Sequence, residues 1–132
     1  MSSASKEDYL RGMYHLMEDK GSARNIDLAD YLDVKKPSVS EMLKELNKEG
    51  LVQYRRYSKL KLTPKGHGIA KKLTFKHRII ESFLKDKLKI DSNNVHEEAH
   101  RLEHAFSDES INKLRKLLGN PKFDPHGKPI PR

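Results

Sequence analysis

Ile26-Asp-Leu-Ala-Asp-Tyr-Leu32, a short gap, and Lys36-Pro-Ser-Val-Ser-Glu-Met-Leu-Lys-Glu-Leu46 running on to Gly50 decide the fold of this chain. The first stretch predicts a short amphipathic helix. The second places Val39, Met42, Leu43 and Leu46 at helical spacing, so one face is apolar. Pro37 suits a first helical turn, where its missing N–H costs nothing, and Gly50 suits the residue after the last turn. Two helices joined by so tight a turn predict a helix-turn-helix.

Downstream, Leu51-Val-Gln-Tyr-Arg55 and Lys59-Leu-Lys-Leu62 read as two strands, with Arg56-Tyr57-Ser58 as the turn of a basic hairpin. Upstream, Ser5-Lys-Glu-Asp8 reads as a capping box that opens a first helix. Tyr9, Leu10, Met13, Tyr14, Leu16 and Met17 recur along that helix until Lys20-Gly21 stops it. Residues 1–66 are therefore expected to form a winged helix-turn-helix domain. Thr63-Pro64 opens a long helix carrying Ile69, Leu73, Ile79, Ile80, Phe83, Leu84 and Leu88. After a polar connector from Leu88 to Asn94 come a His-rich helix and a last helix from Ser107 to Leu118, stopped by Gly119-Asn-Pro121. The fold class is mainly α with a small β-wing. A helical domain spans 67–120, and an extended Pro-rich tail spans 121–132.

The chain has 132 residues and a net charge of +8, unevenly spread. From Leu51 to Ile80 it carries nine Lys or Arg residues and no Asp or Glu. One sign of charge over so long a run is the footprint of a polyanion, most simply double-stranded DNA. On the recognition helix the candidates for the groove are Lys35, Lys36, Pro37, Ser38, Ser40, Glu41 and Lys44. Pro37 and the serines suit a thymine methyl and adaptable hydrogen bonding. Glu41 is the awkward member, able to accept from cytosine but repelled by phosphate. Arg55, Arg56, Lys59 and Lys61 of the wing are expected to hold phosphates. No run approaches the roughly 18 apolar residues of a membrane span, and the N-terminus lacks the apolar core of a secretory signal. Cysteine is absent, so any metal is held by nitrogen and oxygen. A reducing, cytoplasmic setting is expected, with no membrane partner and no small-molecule substrate.

Val95-His-Glu-Glu-Ala-His-Arg-Leu-Glu-His104 holds three of the seven histidines. With His96 at zero on a helical wheel, His100 falls near about 40°, Glu103 near about 340° and His104 near about 80°. These four potential ligands share a stripe beside the apolar one formed by Val95, Ala99, Leu102 and Phe106. His77 and Glu81, at i and i+4 on the long helix, face the same way. The plain alternatives are a solvated polar face for the stripe and an ordinary surface pair for His77 and Glu81. His15, His67 and His126 lack partners in sequence and read as surface residues. His100-x-x-Glu-His104 also matches the inverted zinc-protease motif. Such a site needs a third ligand, an open water position and a cleft. After His104 the only carboxylates are Asp108, Glu109 and Asp124, so a hydrolase ranks last.

Glu7-Asp-Tyr-Leu10, Lys36-Pro-Ser-Val-Ser40, Leu62-Thr-Pro-Lys-Gly66, His77-Arg-Ile-Ile-Glu81, Val95-His-Glu-Glu-Ala99, Glu103-His104 and Gly127-Lys-Pro-Ile-Pro131 together resemble the diphtheria-toxin-repressor family of metal-dependent transcriptional regulators. The resemblance covers nearly the whole chain. It implies a homodimer joined through the helical domain, and a repressor of metal-ion homeostasis genes that binds its operator when Fe²⁺ or Mn²⁺ is bound. Ni²⁺, Co²⁺ or Zn²⁺ would substitute in vitro. It assigns His77, Glu81 and His96 to an ancillary metal site, and Asp8, His100, Glu103 and His104 to a primary one. The set is a hybrid. Iron-type members have methionine at Asp8 and usually cysteine at His100. Manganese-type members share the aspartate but have glutamate at Arg11 and a carboxylate at His100. Many iron-type members continue past Pro-Ile-Pro into a β-barrel domain, and the chain reads as a short form without one. The alternative is a winged-helix regulator indifferent to metal.

Overall fold

The computed structural model describes residues 3–55 and 59–131. Its elements run α1 (Ser3–Lys20), α2 (Asn25–Leu32), α3 (Lys36–Lys48), β1 (Val52–Gln53), β2 (Lys61–Leu62), α4 (Pro64–Asp86), α5 (Ser92–Glu103) and α6 (Asp108–Leu117). Two compact units divide within α4, between Lys71 and Lys72. Among the described residues, no helix is long and apolar enough to cross a membrane.

The first unit is the winged helix. Helix α2 ends on Asp33, whose left-handed backbone (φ 54°) turns the chain sharply enough for α3 to begin three residues later. At the other end of α3, Gly50 takes φ 74°, its N–H donates to Asn47 O (3.1 Å), and Leu51 N–H donates to Leu46 O (3.0 Å). These are the two closing bonds of a Schellman motif, which only a residue tolerant of positive φ permits. Val39, Met42, Leu43 and Leu46 are buried together with Tyr9, Leu10 and Met13 of α1 and Leu28 of α2. The wing is shorter than the sequence suggests. Val52 pairs with Leu62 and Gln53 with Lys61, while Leu60 N–H donates to Ala23 O (2.8 Å) outside the ladder. The expected turn, Arg56-Tyr57-Ser58, lies outside the described residues.

Thr63 ties the wing to α4. Its hydroxyl donates to Gly50 O (2.7 Å) and accepts from Gly66 N–H (3.0 Å), so one side chain serves the end of α3 and the start of α4. At Gly66 a Cβ would stand 1.8 Å from Leu51 O, so the helix and the wing root meet backbone to backbone.

One expectation fails here. Helix α1 already includes Ser3, which puts Ser5 and Asp8 inside the helix and leaves no capping box at those positions.

The second unit packs α5 and α6 on the later turns of α4. Ile79, Ile80, Leu84, Val95, Ala99, Ile111 and Leu114 form its core. Asp91 caps α5 by accepting from Asn93 N–H (2.9 Å), so the helix takes over part of the expected connector. Ser107 caps α6 by accepting from Ser110 N–H (3.1 Å). The tail folds back instead of running extended. Phe123 bridges Pro129, Asp124 Oδ1 accepts from the N–H groups of His126 (2.9 Å) and Lys128 (2.8 Å), and Gly127 supplies φ 84°. Ile130 is buried in the core, and the buried Arg78 donates to Pro129 O (2.6 Å).

Candidate metal centre

Helical spacing on α4 points His77 and Glu81 inward, and both are buried, at 4% and 3% exposure. That removes the surface-pair alternative. His77 Nε2 lies 3.5 Å from Glu81 Oε1 and 3.2 Å from Nδ1 of His96, which reaches in from α5. His96 Nδ1 lies 3.8 Å from Glu81 Oε2. Burial alone would raise the Glu81 carboxyl. The hydrogen bonds from His77 and His96, with the charges of His77 and His126, outweigh it and hold the group well below the usual carboxylate range. A buried carboxylate kept ionised among imidazoles is a seat for a cation.

The tail adds two residues that the sequence did not single out. His126 Nδ1 stands 3.6 Å from Glu81 Oε2, and ligand atoms of Glu81, Asp124 and His126 all lie within 4.8 Å of one another. Burial raises the Asp124 carboxyl, opposed by the Lys128 backbone N–H and reinforced by the charge of Glu81. His126 is therefore no isolated surface histidine. Its signal was the turn chemistry of Asp124-Pro-His-Gly127, which puts Asp124 and His126 on one side of a tight bend.

A second group gathers at the C-terminal end of α5. His100, Glu103 and His104 each bring one ligand atom within 4.8 Å of the others. The rings of His100 and His104 meet edge to face at 5.5 Å, and His104 Nε2 is 3.7 Å from Glu103 Oε1. Glu103 is only 2% exposed, which an ionised carboxylate tolerates only with partners. Its other oxygen, Oε2, lies 2.6 Å from His77 Nδ1. The ligand stripe of α5 thus divides: His96 joins His77 and Glu81, while the other three stay together. Asp8 lies half-buried on α1 of the first unit. With imidazole nitrogen, carboxylate oxygen and buried charge, both groups of the second unit fit a divalent transition metal.

On the winged helix, Lys35, Lys36, Pro37, Ser38, Glu41 and Lys44 are exposed along the first half of α3. Ser40 is different. It is half-buried and its Oγ accepts from Asn25 Nδ2 (3.0 Å), which fastens α3 to α2. Arg55, Lys59 and Lys61 are exposed and, with Asn47, Gln53 and Tyr54, line a cleft of about 590 Å³ beside the wing. Arg56 lies outside the described residues.

A winged helix-turn-helix joined to a helical unit with clustered imidazole and carboxylate donors defines a metal-binding transcriptional regulator. Residues 1–60 match the N-terminal DNA-binding domain of the iron-dependent repressors, and residues 63–132 match their metal-binding and dimerisation domain. The chain belongs to this family, that of the diphtheria toxin repressor, and is a DNA-binding regulator of the metal-dependent class and not an enzyme. The HTH-type transcriptional regulator MntR of Shouchella clausii is 36% identical over 118 residues, which are 89% of this chain and 82% of that protein. The manganese regulator SloR superposes with a TM-score of 0.85 at 42% identity over 96% of this chain. A manganese-dependent repressor in complex with manganese gives 0.89 at 34% identity over 96%. The chain spans 59% and 58% of the lengths of those two structures.

Proposed function

We propose that this protein is a cytoplasmic, homodimeric repressor of metal-homeostasis genes that binds double-stranded operator DNA when loaded with Mn²⁺ or Fe²⁺. The observation that carries the reading is the donor set of α4 and α5, built around the buried His77, Glu81 and Glu103, in a chain whose other unit is a winged helix with an exposed basic face. Asp8 of α1 is the proposed fourth ligand beside His100, Glu103 and His104. His77, Glu81 and His96 form the ancillary site, and Asp124 and His126 of the tail stand ready to complete it. A cation held by both α1 and α5 favours whichever arrangement of the two units lets the paired recognition helices of a dimer meet successive major grooves. Metal acts only through that preference. Relatives named for manganese support a hard, oxygen-rich site, whereas the imidazole at His100 softens it towards Fe²⁺.

In the DNA complex, Lys35, Lys36, Pro37, Ser38, Glu41 and Lys44 face the groove, and Arg55, Arg56, Lys59 and Lys61 hold phosphates. Ser40 acts from the edge, through its hold on Asn25. Anaerobic titration with Mn²⁺ and Fe²⁺, followed by fluorescence anisotropy on operator DNA with and without metal, tests the reading. Operator affinity that rises at least tenfold with metal and falls again with chelator supports it. Full affinity in the stripped protein identifies a regulator indifferent to metal.

A further inference from the structure

His15 has partners after all, and they lie on its own helix. Glu18 and Asp19 follow it on α1 at i+3 and i+4, so the three side chains share a stripe about 100° wide. His15 Nε2 lies 3.1 Å from Asp19 Oδ2, and one ligand atom from each of the three falls within 4.8 Å of the others. The plain reading is an exposed ion pair between a protonated histidine and Asp19, worth little to the fold. Two features go beyond it. A pair needs only two residues, whereas Glu18 brings a second carboxylate to the same point. The His15 ring is also held from outside the cluster. It stacks on Tyr31 of α2, with centroids 4.8 Å apart and planes at 25°. An imidazole already held in place costs less entropy to engage. Lys20, the cation next along the chain, lies 3.7 Å from Asp27 of α2. All of these residues belong to the first unit.

We propose that His15, Glu18 and Asp19 form a further cation site, built into the winged-helix unit and independent of the groups on α4 and α5. One imidazole nitrogen and two carboxylate oxygens suit a divalent transition metal, with Zn²⁺ or Ni²⁺ held more tightly than Mn²⁺. Three protein ligands leave the remaining positions to water. Glu18 and Asp19 are exposed and His15 is half-buried, so the site is less enclosed than the one around Glu81 and fills later, when the cation is in excess. An ion here clasps the last two turns of α1 and, through the His15–Tyr31 stack, the contact with α2. All three ligands lie on one helix. The ion therefore steadies the winged helix without acting as the switch for operator binding.

Calorimetry on the stripped full chain, with Zn²⁺ as the probe, tests it. Glu18→Gln and Asp19→Asn both leave the His15–Tyr31 stack in place. A ligand should matter at least as much as the groups that merely orient one, whose loss costs about 10–100-fold in affinity. Each variant should therefore weaken the last and weakest equivalent at least about tenfold and leave the tighter ones unchanged. Uptake by the double variant identical to that of the wild type overturns the proposal. In the same titration, followed by nuclear magnetic resonance, the ring ¹⁵N signals of His15 should move with the last equivalent while those of His67 stay in place. His67 is the control because Thr63, Pro64, Ala70 and Lys71 stand three and four residues away, so no carboxylate lies at helical spacing from it. His15 signals that stay put, or His67 signals that move as far, overturn the site. The fates of this site and of the repressor reading are separable. Zn²⁺ uptake on α1 in a protein whose operator binding ignores metal keeps the site and sinks the metal-responsive repressor. A metal response with no uptake on α1 does the reverse.

Discussion

Helices α3 and α5 are nearly equal in length, 13 and 12 residues, and they place their candidate functional side chains differently. Helix α3 and its N-cap turn Lys35, Lys36, Ser38, Glu41 and Lys44 out to solvent, and only Ser40 stays at the buried edge. Helix α5 turns Glu103 fully inward, leaves His100 and His104 half-buried, and brings His96 onto the buried Glu81 of α4. The difference follows the size of the partner. A DNA duplex can be met only from outside, by charges that stay hydrated until it arrives. A single cation can be surrounded, and carboxylates that are already ionised spare it the cost of displacing protons. At Glu81 the imidazole hydrogen bonds outweigh burial and favour the ionised form. Exposed charge on α3 costs the fold almost nothing, whereas buried charge on α5 depends on every neighbour.

The largest effect is expected where the outward-facing unit is held together. Gly66→Ala would drive a methyl group into Leu51 O, a backbone atom that no rotamer change can move. Overpacking ordinarily costs about 1–3 kcal/mol, and a clash with backbone belongs at or above the top of that range. The variant should melt well below the wild type and lose binding to operator and random DNA alike. A melting temperature within a degree of the wild type would mean that α4 and the wing root are free to separate.

Next comes the inward-facing helix. Glu103→Gln keeps the shape of the side chain but removes the charge that His77 and any cation share. Metal-stimulated operator binding should disappear, while the stripped variant keeps its weak, salt-sensitive binding to random DNA. Anisotropy titrations with and without Mn²⁺ decide it. A retained metal response would take Glu103 out of the site.

Asp8→Asn sharpens the comparison from the other unit. The sequence offered Asp8 two roles, cap and ligand, and the start of α1 at Ser3 removes the first. Asparagine keeps the size and shape of the side chain, so the stripped protein should lose no more than about 1 kcal/mol of stability. Affinity for Mn²⁺ should fall about tenfold or more. A drop in stability with the full metal response intact would make Asp8 a structural residue of α1.

How much of this was legible in the sequence depended on the range of the interactions. Pro37 and Gly50 marked the ends of α3 because their signals are local to the backbone: a missing donor at one end, a positive φ at the other. The wing was overextended. Val52–Gln53 and Lys61–Leu62 are the only paired positions among the described residues of that hairpin, and strand length depends on partners that β-propensity does not specify. The helical wheel put the four candidate ligands of α5 on one stripe but had no means to divide them. That division is made by α4, whose His77 and Glu81 claim His96. Asp124 and His126 escaped notice for the same reason in stronger form. They reach Glu81 only because Ile130 is drawn into the core and Arg78 grips Pro129, contacts between segments far apart in the chain.

The smallest expected effect falls on the wing and tests whether its charges are as generic as their exposure implies. Lys59 is exposed beside the cleft that Arg55 and Lys61 also line. A lysine in that setting is a mobile point charge. It releases counterions when it meets a phosphate but carries no planar fork with which to read a base pair. Lys59→Ala should therefore weaken binding by the same few-fold factor on operator and on random duplex. The slope of log K against log salt should become shallower by about 0.9, the value for one phosphate contact. The metal response should be untouched, because nothing on α4 or α5 has changed. A variant that kept the full salt slope but bound the operator less selectively would show Lys59 reading bases. The wing would then share with α3 the work of recognition, and the contrast between outward-facing and inward-facing charge would have to be redrawn within the winged helix itself.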